Sequence, residues 1–122
     1  MPSDIAILQA ANALLDEQNG FSTFLTTDRH AKPLGIMTVT NAISLKTGES
    51  YAIIIEIYVS PSQRSKGVGD FMIEHLSIMG KSLGWTHIET LVPQKGRNVR
   101  AIGFFRQCGF KRIATAMTLK LK

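Results

Sequence analysis

Ile55-Glu56-Ile57-Tyr58-Val59-Ser60-Pro61, followed after one residue by Gln63-Arg64-Ser65-Lys66-Gly67-Val68-Gly69, contains a change of backbone period. The first part belongs to a β-branched run from Tyr51 to Val59 that reads as a strand. Pro61 cannot donate to a ladder and ends it. Beyond the loop, Val68, Phe71, Met72, Leu76, Met79 and Leu83 follow the 3.6-residue period of a helix, which Gly84 closes. Gly67 and Gly69 let the backbone approach a ligand with no Cβ in the way. The helix start leaves unpaired N–H groups and about half a positive charge. Arg64 and Lys66 add formal charge beside it. Such a strand–loop–helix suits a pyrophosphate. Met72 stands where a dinucleotide fingerprint needs its third glycine, and no Gly-Lys-Ser/Thr is present, so two other phosphate loops are excluded.

Upstream, Ser3 or Asp4 can cap a helix running to about Gln18, with Ile5, Leu8, Ala11 and Leu15 on one face and Asn19-Gly20 as its stop. Phe21 to Thr27 and Leu34 to Leu45 read as strands separated by the polar turn Arg29 to Pro33. Lys46-Thr47-Gly48-Glu49 has hairpin-turn chemistry, so the three strands form an antiparallel meander. Downstream, His87 to Val92 reads as a strand, Asn98 to Gln107 as a helix stopped at Gly109, and Ile113 to Leu121 as a final strand. The expected order is α-β-β-β-α-β-α-β. This is an α/β (α+β) domain with a mixed, mostly antiparallel twisted sheet flanked by helices. Without repeats or linkers, residues 1–122 read as one domain.

Composition agrees. The chain is 44% hydrophobic and 19% charged, in the ordinary globular range. At 122 residues it can bury roughly two thirds of its unfolded surface. No apolar run reaches the ~18 residues of a membrane span. Asp4, Asp16 and Glu17 without a basic n-region do not read as a signal peptide. A lone cysteine, Cys108, excludes an internal disulfide framework, and a cytoplasmic location is expected. The net charge of +5, from 14 basic and 9 acidic residues, attracts polyanions in general. A nucleic-acid partner would rest on charge alone, for no zinc-finger spacing or basic helix accompanies it. His30, His75 and His87 share no ligand spacing, so no metal is expected. Trp85 reads as a core anchor.

The segment from Ile55 to Gly69 resembles the acyl-CoA-binding segment of the GNAT superfamily of N-acetyltransferases, whose pattern is Arg/Gln-x-x-Gly-x-Gly/Ala after a strand with an apolar-x-Pro step. Asn98-x-x-Ala101-x-x-Phe104-Phe105-x-x-x-Gly109-Phe110 resembles its second segment, in which a tyrosine usually follows the first phenylalanine. The resemblance covers Tyr51 to the C-terminus, and Phe21 to Leu45 fits the hairpin that precedes it in the family.

It implies the GNAT fold, acetyl-CoA as cosubstrate, and direct transfer of the acetyl group to an amine. The backbones of Ile57 and Val59 would pair with the pantetheine arm. The amides of Arg64, Ser65, Lys66, Gly67, Val68 and Gly69 would bind the pyrophosphate. Asn98 would bond the arm, a role compatible with a helix N-cap. Ala101, Phe104 and Phe105 would pack near the cofactor. An amine of pKa ~10.4 costs about 4.6 kcal/mol to deprotonate beforehand at pH 7, so a base in the transition state helps. Glu56 is the candidate base, and the Val59 amide a minimal oxyanion hole.

Two departures accompany the resemblance. Phe105 occupies the usual tyrosine position and has no proton to give. A general acid is typically worth about 10²–10⁴-fold, but a thiolate of pKa about 8.5 leaves without obligatory protonation. Tyr58, water or Cys108 are the substitutes, although Cys108 reads first as a small hydrophobe. Also, only about 20 residues precede the first hairpin. The acceptor groove is therefore expected to be open or completed by a partner subunit, as in a homodimer. The acceptor is a small-molecule or protein amine; the competing function is a non-catalytic acyl-CoA-binding or interaction domain.

Overall fold

The computed structural model describes residues 5–10, 21–92 and 99–122, with side chains described over 21–92 and 100–122. It divides into two compact units, Met1–Thr90 and Leu91–Lys122.

The first unit holds a five-stranded sheet in the order β1-β2-β3-β4-β5. Its strands are β1 (Ile5–Ala10), β2 (Phe21–Asp28), β3 (Pro33–Ile43), β4 (Ser50–Val59) and β5 (Ile88–Thr90). The first four pair antiparallel, and β5 joins β4 in parallel after helix α1 (Val68–Leu83). The sheet is mixed and mostly antiparallel, as expected.

Each turn has a local cause. Asp28 Oδ1 accepts from the backbone N–H of His30 at 2.8 Å and of Lys32 at 3.0 Å, closing the β2–β3 turn. Those bonds, Lys32's first, hold the Asp28 carboxyl below its ordinary pKa. Gly48, at φ 75°, closes the β3–β4 hairpin by donating to Ser44 at 2.7 Å.

The core lies between one face of the sheet and α1. Met37, Val39 and Ile54 are each 2% exposed there, opposite Val68, Met72, Ile73 and Leu76. The buried helix positions run 68, 72, 76 and 80, an i±4 ridge, and Leu83 from the expected stripe is exposed. A Cβ on Gly35 would come within 3.0 Å of both Met72 Sδ and the Tyr58 carbonyl, so glycine permits this close approach. The Trp85 ring lies over Gly80, where a Cβ would collide with it, in keeping with a core anchor.

Two expected elements are corrected. Residues 5–10 form β1, registered on β2 from Ile5↔Asp28 to Ala10↔Thr23, where a helix was expected. The run Ile5-Ala6-Ile7-Leu8 fits either period, and the ladder on β2 outweighs local propensity. The rest of that expected helix, residues 11–20, lies outside the described residues. The expected final strand Ile113–Leu121 is likewise absent: residues 110–122 are in neither helix nor strand. Alternating residues make a strand only against a partner. Ile113, Met117, Leu119 and Leu121 are instead 73–91% exposed.

The second unit contains helix α2 (Val99–Gln107). Gly109, at φ 99°, follows it and donates to Arg106 at 2.9 Å, ending the helix as its sequence predicts.

Candidate functional site

The site grows from a change of pairing within β4. Ala52, Ile53 and Ile54 pair with β3 on one edge and with β5 on the other. The β5 register stops at Ile54↔Thr90, whereas pairing with β3 continues to Gly35↔Val59. From Ile55 onward one edge of β4 therefore has no strand partner among the described residues.

The register also slips here. Val39 faces Ile54 and Thr38 faces Glu56, leaving Ile55 as the extra residue of a β-bulge. After it, the Ser60 N–H donates to the Leu34 carbonyl at 2.9 Å. Antiparallel hydrogen-bonded and non-bonded pairs alternate. Ser60, Tyr58 and Glu56 thus bond towards β3, while Ile57 and Val59 direct their backbone N–H and C=O groups to the open edge. Two side chains frame this edge: Thr90 Oγ1 donates to the Ile54 carbonyl at 3.2 Å, and Arg64 Nε to the Val59 carbonyl at 3.0 Å.

The loop to α1 begins with a 3-10 turn, Pro61–Gln63. Ser65 (φ 64°) and Gly67 (φ 88°) both adopt the left-handed region. That conformation costs a non-glycine residue about 1–2 kcal/mol, and such cost concentrates at functional loops. Gly67 is the N-cap of α1, and among the described residues this cap position makes no side-chain capping bond. A Cβ on Gly67 would meet nothing within 4 Å among the described residues, so the loop opens onto free space. Lys66 is exposed, Val68 is 1% exposed and anchors the helix start, and Gly69 lies in the first turn.

Glu56 is exposed and pairs with Thr38 on the sheet face opposite α1. Tyr58 follows on that face, opposite Ile36, and is 52% exposed. Arg64 lies across its ring, with Cζ 5.4 Å from the ring centre.

In the second unit Ala101 and Phe104 are half-buried, and Phe105 is 7% exposed. The Phe105 ring meets both Phe104 and Phe110 edge-on at 5.1 Å, an aromatic cluster without a hydroxyl. Cys108 is half-buried. Asn98 lies outside the described residues.

Elsewhere, His87 stacks on Tyr51 at 4.5 Å and bridges Thr86 Oγ1 and Glu89 Oε2, each at 2.9 Å. This cluster sits at the end of β4 remote from the loop. Among the described residues no group of three His, Cys, Asp or Glu side chains is placed to hold a metal ion. No described helix is long and apolar enough to cross a membrane.

The sequence reading missed the bulge at Ile55, the Thr90 hydroxyl and the bond from the Arg64 side chain to the Val59 carbonyl. All three depend on strand register, for which the sequence carries no local signal.

The profile of the acetyltransferase (GNAT) family matches residues 4–110, and the chain belongs to that family. No curated protein matches the chain significantly in sequence. An aminoglycoside acetyltransferase from an uncultured soil metagenomic sample, solved with trehalose and with sisomicin, has a similar fold. Its TM-score is 0.82 at 14% identity, over 98% of either chain. A transcriptional regulator from Bacillus halodurans matches at TM-score 0.81 and 14% identity, over 96% of this chain and 99% of that one. An acetyltransferase of Trypanosoma brucei matches at 0.74 and 20%, over 92% of this chain and 77% of its own. These likenesses establish the fold.

Proposed function

We propose that the protein is an acetyl-CoA-dependent N-acetyltransferase that acetylates an amine by direct attack on the thioester. The observation that carries this reading is the open edge of β4, which leads from the bulge at Ile55 to the start of α1 at Gly67. An edge with free N–H and C=O groups takes an amide-bearing arm as an added strand. The helix start beyond it takes a diphosphate, with Lys66 supplying charge.

When bound, acetyl-CoA supplies an activated acetyl group. Glu56, exposed on the sheet face beside this edge, accepts a proton from the incoming amine directly or through water as the N–C bond forms. The Val59 N–H, on the open edge, donates to the carbonyl oxygen as it gains charge. The C–S bond then breaks with its electron pair on sulfur, and Tyr58 or water returns a proton. A second reading, a non-catalytic acyl-CoA-binding domain, is favoured by one observation: Phe105, with no hydroxyl, is packed among Phe104 and Phe110.

Calorimetric titration with acetyl-CoA tests both readings together, and absence of binding at millimolar concentration removes both. Thiol release is then measured over a panel of amines, peptides and aminoglycosides. No release despite binding selects the second reading. In an active protein, Glu56→Gln is expected to lower kcat by about 10²-fold or more with little change in cofactor affinity. Unaltered turnover would exclude Glu56 as the base. Gly67→Glu puts bulk and negative charge into the space beside the helix start, and a loss of acetyl-CoA affinity on the order of 100-fold is expected.

A further inference from the structure

The open edge of β4 is bounded at both ends by side chains. Where β5 leaves the strand, the Thr90 hydroxyl occupies the Ile54 carbonyl; at the loop, Arg64 Nε occupies that of Val59. Between these two bonds the edge offers the N–H and C=O of Ile57 and the N–H of Val59. We infer that Arg64 and Thr90 are positioning residues that delimit this window and so fix the register in which an arm can pair with β4. The inference rests on the acyl-CoA reading and adds a role for two side chains.

The local geometry explains why Arg64 reaches the strand. The Gln63 N–H donates to Ser60 at 2.8 Å and the Arg64 N–H to Pro61 at 3.4 Å, turning the chain back on itself. The guanidinium then lies 5.4 Å from the Tyr58 ring centre, within cation–π range. One side chain thus ties Arg64, the residue just after the 3-10 turn, to the last carbonyl of the edge. It holds the two halves of the site at a fixed separation.

This role has a chemical signature distinct from electrostatic attraction of phosphate. The donor in contact with Val59 is Nε, four bonds from Cα. Glutamine carries its amide nitrogen at that same place, whereas lysine has a methylene there and its ammonium one bond further out. If the bond to Val59 is what matters, Arg64→Gln preserves the function and Arg64→Lys does not. If positive charge is what matters, the order reverses.

The decisive measurement is calorimetric affinity for coenzyme A in variants shown by circular dichroism to be folded. Arg64→Lys is expected to weaken binding about tenfold and Arg64→Gln less than about threefold. Thr90→Val should also weaken it several-fold, with Thr90→Ser restoring it. Equal effects at position 64, or a larger loss in Arg64→Gln, overturn the inference. So does Thr90→Val binding like the unaltered protein.

A second measurement needs no ligand. The Arg64 Nε–H should give a distinct NMR resonance with exchange slowed by the Val59 bond. Exchange at the solvent rate overturns the positioning role even if every variant misfolds. Failure of the unaltered protein to bind coenzyme A removes the acyl-CoA reading, whereas the Nε–H measurement judges the clasp by itself.

Discussion

Ser50–Ile54 and Ile55–Val59 are halves of one strand with similar β-branched composition, yet they have opposite tasks. The first half is paired on both edges and supplies Ala52 and Ile54, 0% and 2% exposed, to the core. The second keeps β3 on one side and leaves the other edge open, with Ile55 and Tyr58 about half exposed. Composition therefore does not decide which half is scaffold and which is site. The departure of β5 after Thr90 does.

That contrast can be broken experimentally. Its largest expected effect is on amide exchange: the Ala52 N–H, bonded to His87 at 3.2 Å, should exchange on the order of a thousandfold more slowly than those of Ile57 and Val59. Acetyl-CoA should slow the latter pair selectively. Uniform exchange along the strand would erase the distinction. Stability should divide the same way. Ile54→Ala should cost about 2–5 kcal/mol in denaturant unfolding, and Ile57→Ala, at a half-buried position, clearly less. Equal costs would mean that both halves serve as core.

The smallest effect lies in the β2–β3 turn, away from either half. Because the folded-state pKa of Asp28 is depressed, its stabilisation is present above the unfolded pKa and is lost as pH falls through the folded value. The stability difference between the unaltered protein and Asp28→Asn should accordingly be constant above the ordinary carboxylate range and shrink as pH falls below it in thermal melts. A constant difference would show that the carboxylate charge is immaterial to the turn.

What could be read in advance follows the range of the interactions. Helix α1 spans Val68–Leu83 as its periodicity and Gly84 predict, because caps and a 3.6-residue stripe are local. The β2–β3–β4 meander was legible for the same reason, through its turn residues. The two ends were not. Ile5–Ala10 takes its conformation from a ladder with β2, and the alternation of Ile113–Leu121 finds no such ladder among the described residues. Within the site, Gly67 and Gly69 announced the loop, but Ile55, Thr90 and the side chain of Arg64 acquire their roles only once β3, β4 and β5 are in register.

The bulge at Ile55 works on β4 as an inserted letter works on a message read two characters at a time. Up to Ile54 the even positions 52 and 54 point to the core; beyond it the odd positions 57 and 59 do. Glu56, an even position, would point into the core in the first reading frame and is exposed in the second. By taking up Ile55 without a partner, the bulge keeps outside a charge that the core could not tolerate. Deleting Ile55 would remove the bulge and leave residues 56 to 59 on their present sides, whereas pairing Ile55 itself with Thr38 would turn every one of them over.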